Sequence, residues 1–175
     1  MKKGLVLAMV MLLSDFADAT IVSYELNGLS DGSFEYVYTI ENDTLTSAIE
    51  QFTIWFDEQL YNNLQVTTST SLSNEWDEII LPSTGFGIPL GYDALALSSG
   101  IDIGQTVSSF SVRFVWLGAG LPGSQCYEIV APATNQTIAN GFTIPEPVTL
   151  LFFCISFVIS KKWIVINGRT SQILS

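Results

Sequence analysis

Histidine is missing from this chain of 175 residues. Its absence removes the commonest general base and the commonest zinc ligand. Cationic side chains are scarce: six Lys and Arg stand against 17 Asp and Glu, a net charge of −11. Cysteine is nearly absent, with Cys126 and Cys154 the two present. Cys154 falls within an apolar run near the C-terminus, so the pair offers no disulfide framework. Stability must then come from an apolar core, and Cys126 is expected as a small packed hydrophobe. A Gly-rich phosphate loop, a Gly-x-Ser-x-Gly elbow and a Cys-x-x-Cys pair are also lacking. The adjacent carboxylates Asp57-Glu58 and Asp77-Glu78 would point to opposite faces of a strand, so neither pair forms one site. The chain is therefore expected not to be an enzyme, and no cofactor is implied. Calcium would find hard oxygens in Glu41-Asn42-Asp43, but EF-hand spacing is absent, so no metal ligand is assigned.

The few cations are unevenly placed. Lys2, Lys3, Lys161, Lys162 and Arg169 lie outside the span 20–143, which keeps one positive residue, Arg113, against fourteen negative ones, net −13. Such a surface repels nucleic acid and anionic lipid and favours solubility. The five outer cations flank two apolar stretches, in the positive-inside arrangement.

The first stretch opens the chain. Lys2-Lys3 precede ten apolar residues, 4–13, and Ala17-Asp18-Ala19 is a small-x-small site. Residues 1–19 read as a secretory signal peptide cleaved between Ala19 and Thr20. Ten apolar residues are too few to span a bilayer, so removal is expected rather than anchoring.

The second stretch lies near the C-terminus. Pro145-Glu146-Pro147 fixes two φ angles and predicts a stiff, extended, protease-accessible spacer. Residues 148–159 then run without a charge to Lys161-Lys162. Twelve helical residues rise about 18 Å against a hydrocarbon core of about 30 Å. Lysines snorkelling at the cytoplasmic boundary, with Trp163 in the interface, complete one transmembrane helix whose membrane contact is 148–160. A Pro-Glu-Pro triplet, a hydrophobic helix and a small basic cluster, in that order over residues 144–162, closely resemble the PEP-CTERM sorting tail of bacteria that make exopolysaccharide. The resemblance implies a membrane partner, exosortase, that recognises Pro145, Glu146 and Pro147, with Lys161 and Lys162 marking the membrane boundary. Such tails usually end within a few residues of an arginine-rich cluster. This chain departs from the pattern by carrying two lysines and a further extension, 163–175.

Between the two addresses, the span 20–143 alternates in short runs. Strands are expected at 20–27, 34–40, 51–57, 64–68, 76–81, 92–97, 105–117, 125–130 and 137–144, with 125–130 pairing back on the long 105–117. The Ser/Thr-rich 67–74 and the Gly/Pro-rich 83–91 read as loops, and no helix is expected in this span. The result is an all-β fold, an antiparallel β-sandwich, with a barrel as runner-up. Residues 91–97, 101–104 and 110–118 look like the sandwich bodies of many short PEP-CTERM proteins, from which no activity follows.

Most of the aromatics sit on the apolar side of an alternation and belong to the core. Trp55 is different, because it shares a face with Gln51, Thr53 and Asp57, opposite Phe52, Ile54 and Phe56. It is the candidate glycan contact. The expected protein is an exported, structural or adhesive component of the cell surface or exopolysaccharide matrix. It would be anchored in the inner membrane before processing and released to the surface or outside afterwards. A carbohydrate-binding module is the alternative, with exopolysaccharide as its partner.

Overall fold

In the strand Phe34–Glu41, Tyr36, Tyr38 and Ile40 are fully buried while the residues between them face outward. The same period of two repeats along the chain and sets which side of each strand enters the core. The computed structural model describes residues 20–83 and 89–146. Ala17, Ala19, Pro147, the expected transmembrane run, Lys161 and Lys162 lie outside the described residues.

The elements in order are β1 (Ile21–Gly28), β2 (Phe34–Glu41), β3 (Gln51–Phe56), β4 (Tyr61–Val66), a one-turn helix α1 (Thr70–Ser73), β5 (Trp76–Leu81), β6 (Leu90–Ala96), β7 (Thr106–Trp116), β8 (Cys126–Ala131), β9 (Gln136–Phe142) and β10 (Ile144–Pro145). One sheet runs β10-β1-β2-β7-β4 and the other β5-β6-β3-β8-β9. The fold is thus an all-β sandwich of two five-stranded sheets. Every pairing is antiparallel except that of β1 with β10, which is parallel. Among the described residues, no helix is long and apolar enough to cross a membrane.

The core is aromatic. Phe52 of one sheet meets Phe110 of the other edge to face, with centroids 5.0 Å apart, and Trp76 closes on the same Phe110 at 5.1 Å. Tyr36 stacks on Phe114 at 4.9 Å. Such pairs contribute roughly 0.5–1.5 kcal/mol each beyond the area they bury. The tyrosine hydroxyls need partners in this apolar interior, and Gln125 provides them. Its Nε2 donates to Tyr36 Oη at 2.7 Å and to Tyr61 Oη at 3.1 Å. Its Oε1 accepts from Tyr38 Oη at 3.0 Å and from Thr143 Oγ1 at 3.2 Å. Both sheets close on this one core, with Ala139 of β9 packed against it and β10 joined through its pairing with β1, so residues 20–146 form the folding unit.

Several details depart from expectation. Strand β8 pairs with β3 and β9 rather than with β7, because the turn after Trp116 carries the chain across to the other sheet. The Ser/Thr-rich segment holds α1, whose single turn buries no side chain. Gly91 belongs to β6 instead of the preceding loop. In β7 the alternation slips at Ser109, whose φ of 79° makes it the extra residue of a bulge opposite Tyr38 and Thr39. Val107 and Phe110 therefore both face Ile40 and Tyr38 of β2, although they are three apart. Cys126, expected inside, is exposed.

The last departure concerns the chain's exit. Strand order continues past residue 143: Ile144 and Pro145 align with Ser23 and Tyr24 of β1. The Glu146 amide then donates to the Tyr24 carbonyl at 3.0 Å, and its Oε1 accepts from Thr39 Oγ1 at 3.1 Å. The first two residues of the triplet are part of the sandwich, not a free spacer.

Candidate functional site

Trp55 sits on the outer face of the central strand β3, half-buried. Its ring lies on Gly91 of β6: a Cβ placed at residue 91 would come 2.9 Å from Trp55 Cζ3 and 3.0 Å from Cε3. Glycine at that position lets the flat ring approach the sheet closely.

The register of the sheet places four further residues in line with Trp55. Leu81 is opposite Gly91, Gly91 opposite Trp55, Trp55 opposite Cys126, and Cys126 opposite Phe142. Directly paired residues share a face, so these five form one apolar row across five strands. Phe142 is 68% exposed, the most open aromatic on the surface described. The next row along the strands is mainly polar. It runs Ile79, Asp93, Thr53, Glu128, Asn140. Thr53 Oγ1 donates to Asp93 Oδ1 at 2.6 Å, and Gln51 Nε2 donates to both oxygens of that carboxylate at 3.1 Å. Asp93 is therefore saturated and buried, whereas Glu128 and Asn140 keep free capacity toward solvent.

Two shallow depressions meet at Trp55. One, of about 470 Å³, is bounded by Trp55, Asp57, Pro89, Cys126 and Glu128. The other, of about 300 Å³, extends from Trp55 and Phe142 to Leu60, Trp116 and Ser124. Trp116 is held in place there: its Nε1 donates to the Gly120 carbonyl at 3.0 Å and its ring meets Tyr61 edge on at 4.9 Å. Flat apolar rings beside carboxylate, amide and hydroxyl groups suit a ligand that has apolar faces and a polar rim.

The other sheet carries a smaller polar depression of about 240 Å³ that includes Asp31, Ser33, Asn63, Gln65 and Arg113. Its charges are already partnered. Arg113 forms an ion pair with Asp31 and donates from Nε to Ser33 Oγ at 3.0 Å. Hydrogen bonds from Ser33, reinforced by the Arg113 charge, hold the Asp31 carboxyl below the usual carboxylate range. Among the described residues, no group of three or more Asp, Glu, Cys or His is placed to hold a metal ion.

Of the residues singled out from sequence, Trp55 is the one the structure sets in an open apolar row. Thr20 is buried, its amide donating to Thr44 Oγ1 at 2.9 Å and its carbonyl accepting from Tyr127 Oη at 2.6 Å. Pro145 and Glu146 lie on the edge beside β1, in the other sheet from Trp55. Sequence reasoning missed Gly91, Cys126 and Phe142. Their common row exists only through the β6–β3–β8–β9 register, and no local pattern encodes that register.

No protein-family model matches the chain, and no curated protein matches it. Among solved structures, it is similar to an uncharacterized protein from Nocardia farcinica with an immunoglobulin-like fold. The identity is 14% and the TM-score 0.51, over 69% of this chain and 83% of the other. A chitin-binding domain from Streptomyces coelicolor aligns at 20% identity and a TM-score of 0.36, over 62% of this chain and 91% of that one. The first likeness shows an immunoglobulin-like sandwich.

Proposed function

We propose that this chain is an exported, non-enzymatic protein of the cell surface or exopolysaccharide matrix, adhesive in role, whose sandwich binds glycan at the face around Trp55. The observation that carries the binding reading is the half-buried Trp55 ring, set close against Gly91 between two depressions rimmed by Asp57, Glu128 and Ser124. Sugar rings present C–H faces that stack on such a ring and hydroxyls that meet the polar rim. Export rests on the signal-like residues 1–19. Delivery rests on the PEP-CTERM-like residues 144–162, with exosortase as the enzyme that would recognise Pro145-Glu146-Pro147 before a membrane helix bounded by Lys161 and Lys162. An acidic exterior with Arg113 already paired supports a partner that is neither nucleic acid nor anionic lipid.

The test is a binding screen of residues 20–146 against a panel of soluble and insoluble polysaccharides. Saturable binding is expected, lost in Trp55→Ala and partly kept in Trp55→Phe, with both variants retaining a cooperative melt. A folded Trp55→Ala protein that binds as well as wild type would sink the assignment.

A further inference from the structure

The two rows on the Trp55 face differ in polarity, and that difference gives a bound chain both a direction and a charge. We infer that the ligand of this face is a neutral, extended polysaccharide that lies across the strands, along the line from Leu81 over Trp55 to Phe142. The inference rests on the glycan reading above and adds the path, the second aromatic contact and the charge class.

The path follows from what borders Trp55. Along β3 the next residue on the same face is Thr53, buried and hydrogen-bonded to Asp93, so the apolar surface stops there. Across the strands it continues through Cys126 to Phe142. Neighbouring strands are about 4.8 Å apart, which puts Trp55 and Phe142 roughly 10 Å from each other and gives the whole row a length of roughly 19 Å. The shorter distance is about that of two sugar units in an extended chain, so alternate rings would lie over Trp55 and Phe142. Glu128 and Asn140, in the adjacent row, then run alongside the hydroxyl edge of the same chain.

The charge class follows from the same rows. Among the described residues, the carboxylates beside the path are Asp57, Asp93 and Glu128, and the Cys126 thiol lies on it. Arg113 lies on β7 in the other sheet, engaged with Asp31 and Ser33. Among the described residues a uronate or sulfated chain would meet like charge and no cation on this face, at a cost that low salt enlarges.

Calorimetric titration of residues 20–146 tests the idea. The ligands are neutral β-linked gluco-oligosaccharides and the neutral polymers bound in the screen, in lengths from two units to six, with uronic-acid oligomers of equal length for comparison. Affinity is expected to rise from the disaccharide to the tetrasaccharide, with uronates bound weakly or not at all. Phe142→Ala should weaken the longer oligomers about tenfold, from the loss of roughly 50 Å² of apolar contact, and should leave the disaccharide unchanged. Phe142 is so exposed that its removal leaves the core intact. No binding across the whole panel would overturn the glycan reading together with this inference. Binding lost in Trp55→Ala but indifferent to Phe142→Ala and to chain length would overturn the path alone. Tighter binding of uronates would overturn the charge class. A concentration-dependent dimer that Phe142→Ala dissociates, with no glycan bound by either form, would assign the face to a second copy and overturn the inference.

Discussion

Adding one methyl group at Gly91 should weaken glycan binding while leaving the fold nearly as stable as before. The new Cβ would stand 2.9 Å from Trp55 Cζ3, 3.0 Å from Cε3 and 3.4 Å from Leu81 Cδ1. Carbon atoms rest at roughly 3.5–4.0 Å, so the indole must lift by about 0.5–1 Å or leave its rotamer. An off-rotamer side chain costs roughly 0.5–1.5 kcal/mol. Against this, Ala in place of Gly within a strand recovers roughly 0.5–1 kcal/mol of chain entropy. The two effects nearly cancel, and the melting temperature of Gly91→Ala should stay within a few degrees of wild type. Binding has no such compensation, because the tilted ring no longer lies in line with Cys126 and Phe142. A loss of about 1–1.5 kcal/mol, near tenfold in affinity, is expected. Calorimetric titration with the best neutral oligosaccharide measures it, and near-ultraviolet circular dichroism reports the changed indole environment. Wild-type affinity in Gly91→Ala would refute the claim that the seat of the ring makes the platform.

Two further predictions concern the core. Gln125→Leu removes the partner of the Tyr38 hydroxyl and strands it in an apolar interior, while Tyr36 keeps the Gly123 carbonyl at 2.7 Å, Tyr61 keeps Tyr36 at 3.2 Å and Thr143 keeps the residue-125 amide at 2.9 Å. Urea denaturation should show a loss of about 2–3 kcal/mol, whereas a neutral change would mean that the Tyr38 hydroxyl finds another partner. The second is alkaline. Burial lifts the hydroxyls of Tyr36, Tyr38, Tyr92 and Tyr127 above their ordinary value near 10. Above that pH the unfolded chain releases protons that the folded chain retains, so stability is full below it and falls as pH rises beyond it. Tyr38 and Tyr92, the most enclosed, should each contribute a slope of about −1.4 kcal/mol per pH unit. Urea midpoints that stay flat from about pH 9 to 12 would contradict this.

Much of the sandwich was legible because its signal is local. The alternation Tyr36, Tyr38, Ile40 and the run Phe110, Val112, Phe114 each declare a buried side within a few residues, and both are fully buried. Where a strand lies in its sheet is a different kind of fact. β8 could not be assigned to β3 from its sequence, because its buried residues Ile129 and Tyr127 pair with Phe52 and Ile54, which lie far back along the chain. Trp55 was legible for the same local reason, standing alone among polar neighbours on its side of β3. Phe142 was not. It lies at the end of a strand with weak alternation, and its relevance comes from a partner sixteen residues away, Cys126, and through it from Trp55. The expected burial of Cys126 failed likewise: small and apolar by type, it is turned outward by its pairing with Trp55.

The exit of the chain carries a consequence for any protease that acts beside the triplet. Pro145 has no amide hydrogen, which suits it to a sheet edge, and β10 is such an edge. Beyond it, Glu146 is held twice, through its amide to Tyr24 and through its carboxylate to Thr39. An extended peptide must leave its sheet before it can enter a protease cleft, so cutting at Pro145-Glu146-Pro147 would require β10 to detach from β1. A two-residue edge strand opens locally at far less cost than the whole domain. Removing one of its side-chain bonds should therefore speed opening without weakening the fold much. Thr39→Val deletes the contact to Glu146 and keeps the volume and β-branching of the side chain. A bond of this kind to a charged acceptor is worth roughly 1.5–3 kcal/mol when enclosed, and about 1 kcal/mol at this partly open edge. Hydrogen exchange at the Glu146 amide should then quicken about fivefold, while the amides of β2 and β7 exchange as in wild type. Equal exchange at Glu146 in both proteins would mean that the backbone bond to Tyr24 holds β10 by itself, and that Thr39 has no part in presenting the triplet.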